Sequence, residues 1–74
     1  MTRLPQMTSD ELVSFFERQG FRKDRQTGSH LTLLHPDGRR VTVPIHRGKD
    51  LGRGLALDLL RRAGYSVEDY LRLR

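Results

Sequence analysis

Two short stretches of strict alternation, joined by a turn, constrain this chain more than any other feature. His30-Leu31-Thr32-Leu33-Leu34-His35 and Arg40-Val41-Thr42-Val43-Pro44-Ile45 repeat at period two, and Pro36-Asp37-Gly38 between them carries hairpin-turn chemistry. Leu31 and Leu33 share one side with Val41, Val43 and Ile45, which leaves His30, Thr32, Arg40 and Thr42 on the other. Pro44 has no ladder donor and marks a strand end or an edge. A hairpin with one apolar side must bury that side against something else.

The flanking segments supply the cover. Thr8 with Glu11 forms a capping box, Met7 and Leu12 sit at the staple positions, and Leu12, Val13, Phe15 and Phe16 line a helix over about Ser9 to Gln19. Gly20 stands where a left-handed residue ends it. Phe21 then leads into the polar run Arg22-Lys23-Asp24-Arg25-Gln26, a weak edge strand closed by the turn Thr27-Gly28-Ser29. Downstream, Ala56, Leu59, Leu60 and Ala63 make one face of a second helix ended by Gly64. Ser66 with Asp69 caps a short last helix carrying Val67, Tyr70, Leu71 and Leu73. The order is α-β-β-β-α with a short helical tail, an α+β class with a three-stranded antiparallel sheet and the helices on one face. This is the layout of double-stranded RNA-binding domains.

Size and composition narrow the function. With 74 residues, 35% of them hydrophobic, the chain makes one domain with one thin core, not a two-lobed enzyme. Cysteine is absent, which excludes disulfide scaffolds, thiolate zinc fingers and thiol catalysis. No apolar run approaches the roughly 18 residues of a membrane span, and Met1 to Gln6 lacks a signal-peptide core. A soluble cytoplasmic protein is expected.

Charge points to an anionic partner. The net charge is +5, and between Arg18 and Arg53 nine cations face only three acids, Asp24, Asp37 and Asp50. A basic middle with balanced ends fits a polyphosphate chain, although an ordinary solvated surface would look the same. The segment His46-Arg47-Gly48-Lys49-Asp50-Leu51-Gly52-Arg53-Gly54 could bring its backbone close to an anion, or be only a connection.

Three histidines carry the only side chains that ordinarily titrate near neutrality. His30, at an exposed strand start beside cations, is placed to accept the proton of a ribose 2′-OH; an idle surface histidine is the plain alternative. His35 reads as a turn residue, and His46 opens the cationic loop. A Ser29-His30 nucleophile pair fails because neighbours on a strand face opposite ways and no acid orients the imidazole. A metal site from His30, His35 and His46 would have ligands of mixed facing. Gly48, Gly52 and Gly54 fit neither phosphate-loop nor dinucleotide spacing.

Taken in order, Met7 to Leu12, Phe15, Gly20-Phe21, Gly28-Ser29-His30, His35-Pro36, Val41-Thr42-Val43-Pro44, Lys49-Asp50-Leu51, Gly54 and Leu59-Leu60-Arg61-Arg62-Ala63-Gly64 resemble the HicA (YcfA-like) mRNA interferase toxins. The likeness covers about Met7 to Leu71. It divides the chain into a short extension, 1–6, and a HicA-like domain, 7–74. It implies a double-stranded-RNA-binding-like fold and a ribosome-independent endoribonuclease that cleaves single-stranded mRNA. The histidine of Gly-Ser-His, here His30, would be catalytic. A cognate HicB-type antitoxin would block the site, leaving the toxin a monomer or drawing it into a larger oligomer, and no cofactor or metal is implied. With the charge pattern, the expected RNA contacts are Arg25, Ser29, Arg40, His46, Arg47, Lys49 and Arg53. Leu31, Leu55 and Leu57 depart from the family, which often has an aromatic residue or histidine, a threonine and a basic residue there. A non-catalytic RNA-binding module or a protein-interaction domain of the same fold are the competing readings.

Overall fold

The computed structural model describes residues 3–74, so Met1 and Thr2 of the expected extension lie outside the described residues. Helix α1 spans Ser9–Arg18, strands β1, β2 and β3 span Arg22–Thr27, His30–Leu34 and Arg40–Pro44, and helices α2 and α3 span Arg53–Arg62 and Val67–Leu73. The sheet is antiparallel in the order β1-β2-β3.

Local chemistry sets the helix ends. Thr8 N–H donates to Glu11 Oε1 at 2.9 Å while Glu11 N–H donates to Thr8 Oγ1 at 3.2 Å, a reciprocal cap whose loss costs on the order of 1 kcal/mol. Gly20, at φ +101°, takes the left-handed conformation that lets Phe21 N–H reach back to Phe16 O at 3.0 Å. The rings of Phe16 and Phe21 meet there, with centroids 5.2 Å apart. Gly64 repeats the arrangement after α2, where Tyr65 N–H donates to Leu60 O at 2.9 Å.

The core lies between the helices and one face of the sheet. Leu12, Phe15 and Phe16 of α1 and Ala56, Leu59 and Leu60 of α2 pack with Leu31, Leu33, Val41 and Val43. Tyr70 brings α3 onto Phe15, ring centroids 4.9 Å apart. Leu4, inside the segment read from sequence as an extension, is also buried, and Arg53 Nε donates to its carbonyl at 2.9 Å. The strand alternation reads as the spacing requires: Leu31, Leu33, Val41 and Val43 are buried, while His30, Arg40 and Thr42 are exposed.

Candidate functional site

The sheet face turned away from the helices is ordered in rows, because residues directly opposite on antiparallel strands point the same way. Thr27, His30 and Pro44 form the first row, Arg25, Thr32 and Thr42 the second, and Arg22, Leu34 and Arg40 the third. The hydroxyls of Thr32 and Thr42 bond across the middle row at 3.2 Å. His30, Arg22, Arg25 and Arg40 are all exposed, and none of the four enters an ion pair or a side-chain hydrogen bond among the described residues.

The glycine loop adjoins the first row. Ile45 N–H donates to Ser29 O at 2.6 Å, extending the β2–β3 pairing past His30. The next residue, His46, donates its N–H to Ser9 Oγ at 3.3 Å. Leu51 N–H donates to Met7 O at 2.9 Å, and Thr8 bridges to Asp50. Both ends of the loop are thus pinned to the start of α1, so His46, Arg47 and Lys49, all exposed, are carried on an anchored turn and not on a free connection. Ser9, buried at 1% exposure, was read from sequence only as the first helical residue. Its service to the loop depends on a partner 37 positions away and leaves no local signal.

His35 has a different setting. Its Nε2 lies 3.1 Å from Gln19 O at the end of α1, its ring stands edge-on to Phe21 at 5.0 Å, and its Nδ1 lies 3.1 Å from Asp37 N and 3.0 Å from Asp37 Oδ1. Gln19 O can only accept, so Nε2–H donates to it, and Nδ1 then accepts from Asp37 N–H. Both nitrogens are occupied with holding the hairpin turn to the helix.

Arg39 completes that lock. Its Nε donates to Asp37 Oδ2 at 2.8 Å, Nη1 donates to Ala63 O at the end of α2, and the guanidinium lies over the rings of Phe21 and Tyr65 at 5.2 and 5.4 Å. The backbone N–H of Arg39 donates to Asp37 Oδ1 at 3.0 Å, and this bond, ahead of the guanidinium's own contribution, holds the Asp37 carboxyl below the usual carboxylate range. Arg39 is one of the nine cations of the basic middle that charge alone assigns to an anionic partner. The structure withdraws Arg39 from that set, and it ties Nε of Arg53 to Leu4 O.

The expected contact residues therefore fall in three places. Arg25 and Arg40 lie on the open sheet face with His30; Ser29, His46, Arg47 and Lys49 lie at its lower edge and on the anchored loop; Arg53 opens α2. No group of three or more histidine, aspartate or glutamate side chains among the described residues could hold a metal ion. Of the family departures, Leu55 is the one large apolar side chain among them that stands exposed, at 41%, whereas Leu57 is half-buried beside Leu4 and Val67.

Element order, sheet topology and the one-sided helix layer define a protein of the double-stranded-RNA-binding-domain-like class. Within that class, residues 9–65 match the family described as the HicA toxin of bacterial toxin-antitoxin, and the chain belongs to the HicA toxin family. No curated protein matches it. No helix among the described residues is long and apolar enough to cross a membrane.

Proposed function

We propose that this protein is a cytoplasmic, metal-independent endoribonuclease that cleaves single-stranded mRNA without the ribosome and is neutralised by a HicB-type antitoxin. The observation that carries the reading is His30, an exposed imidazole with no internal partner among the described residues, on a sheet face bearing three unpaired guanidiniums, in a chain of a toxin family. His30 accepts the 2′-OH proton, the 2′-oxygen forms its bond to the adjacent phosphorus, the bond to the 5′-oxygen breaks, and the leaving 5′-oxygen takes a proton from solvent water to become the 5′-OH. Arg25, in the next row at roughly 7 Å along the strand, faces the charge that develops on the phosphoryl oxygens. Arg40, His46, Arg47, Lys49 and the free part of Arg53 hold the backbone on either side, with Ser29 shaping the turn.

The test is incubation of purified protein with single-stranded RNA, with and without chelator, followed by sequencing of the cut ends. Attack by the 2′-oxygen leaves a 2′,3′-cyclic phosphate and a 5′-OH, and chelator leaves the rate unchanged. Cleavage that requires added divalent metal, or that leaves a 5′-phosphate, would overturn the mechanism. RNA bound but left intact would reduce the protein to a non-catalytic module.

Restraint of such an enzyme comes from outside, since no described residue covers His30. The antitoxin is expected to set acidic groups against Arg40 and Arg47, which speeds association and makes it salt-sensitive, while apolar contacts supply most of the affinity. Exposed Leu55 is suited to such a contact. Co-purification of the toxin with the antitoxin at low and high salt, with cleavage measured on the complex, tests this. A complex that still cuts RNA at full rate would contradict it.

A further inference from the structure

The pairing of β1 with β2 contains one irregularity. Lys23 lies opposite Leu33 and Arg25 opposite Thr32, so Asp24 has no partner and forms a bulge. Arg22 and Arg25 are three positions apart, and in an unbroken strand they would point to opposite faces. The bulge removes that offset. Arg22 joins Arg25 on the open face with Arg40, while Lys23, opposite the buried Leu33, turns to the other side.

We infer that this open face is a track for the backbone of single-stranded RNA, along which Arg22, Arg25 and Arg40 hold phosphates leading to His30. This rests on the ribonuclease reading above and extends it to a surface and to a residue, Arg22, outside the expected contacts. No acidic side chain occupies any of the nine row positions, and the neutral residues between the cations are Thr32, Thr42 and Leu34. From the His30 row to the Arg22–Arg40 row is about 13 Å along β2, and from β1 to β3 about 10 Å. At the ~3.4 Å per phosphate of a stacked strand, this first distance corresponds to about four nucleotides. A duplex reader spans about 16 base pairs across two minor grooves, which a face of this size does not offer. A protein partner would look for aromatic or large apolar anchors. The face has none beyond half-buried Leu34, whereas guanidinium planes suit both phosphates and unstacked bases.

The experiment is salt-dependent binding of a short labelled single-stranded oligoribonucleotide, and of its duplex, to protein carrying His30→Ala so that the probe stays intact. Arg22→Gln, Arg40→Gln and Lys23→Gln are added singly. Each removes one positive charge, but only the first two lie on the track. Single-stranded RNA is expected to bind better than duplex, and Arg22→Gln and Arg40→Gln each to weaken binding and lower the slope of log K against log salt by about 0.7. Lys23→Gln should leave the slope in place. Equal or larger losses from Lys23→Gln, or no loss from Arg22→Gln and Arg40→Gln in folded protein that still binds RNA, would overturn the track while leaving the nuclease intact. Loss of antitoxin capture with RNA binding unchanged would make this face a protein interface instead, and would overturn it too. If the protein carrying His30→Ala alone binds no RNA, the ribonuclease reading itself fails.

Discussion

His30 and His35 stand at the two ends of the same short run of chain, and they are used in opposite ways. The His35 ring sits between Gln19, Phe21 and Asp37, with both nitrogens engaged and its Nε2 on the end of α1, while Arg39 clamps the turn to the end of α2. His30 projects from the open face with no such partner. The Asp37–Arg39 end is consolidated by side chains bonded to the ends of both long helices; the His30 end is held by the strand ladder and by the loop anchored on the Ser9 hydroxyl and the Met7 carbonyl, with no bond to the His30 ring itself. A group meant to exchange protons with an incoming molecule must keep its nitrogens free. A group meant to fix a turn must spend them.

The sharpest way to break this comparison is to remove each ring in turn. His30→Ala should lower RNA cleavage by at least ~10²- to 10⁴-fold with the melting temperature unchanged, as measured by calorimetry beside a cleavage assay. His35→Ala should do the reverse, destabilising the fold by about 1–3 kcal/mol while the folded fraction cleaves at the normal rate. A His30 variant that cleaves normally, or a His35 variant that melts normally but no longer cleaves, would exchange the two roles.

A smaller effect is expected one step back from His35. A Cβ at Gly20 would come within 3.0 Å of His35 Nε2, and φ there is +101°. Gly20→Ala therefore strains the backbone and pushes on the ring together, and denaturant unfolding should show a loss of about 1–2 kcal/mol. Gly28→Ala, where φ is +59° but nothing lies within 4 Å, isolates the backbone part alone.

The smallest expected effect is in the acid response. Because the Asp37 carboxyl is held below its ordinary range, chiefly by the Arg39 N–H, its contribution to stability is complete above the unfolded carboxylate value of about 3.9. It is lost as pH falls through the lowered folded value. Asp37→Asn should flatten that limb of a stability-against-pH curve and leave neutral cleavage untouched. An acid limb of the same slope would show that the carboxylate does not hold the turn.

Elements whose determinants lie within a few residues of one another were legible in the sequence. The Thr8–Glu11 and Ser66–Asp69 boxes, the Gly20 and Gly64 terminations and the alternation of β2 and β3 all appear where their spacing puts them. The bulge at Asp24 did not show, because Arg22 to Thr27 has no apolar positions whose burial would reveal a parity change; all six are exposed. The roles of Arg39 and Ser9 were equally hidden, since their partners Ala63 and His46 lie 24 and 37 positions away. His30 was legible as a candidate because a core strand begins there. What distinguishes it from His35 is the company each ring keeps in space.

The bulge in β1 bears also on how this small sheet avoids its own kind. Both outer strands present unpaired backbone groups, and a flat edge of that sort templates strand-by-strand aggregation. On one side β1 answers with a kink at Asp24 and cations at Arg22, Lys23 and Arg25; on the other, β3 ends in Pro44, which has no N–H to offer. The irregularity that gathers guanidiniums on one face thus also makes β1 a poor template for a further strand.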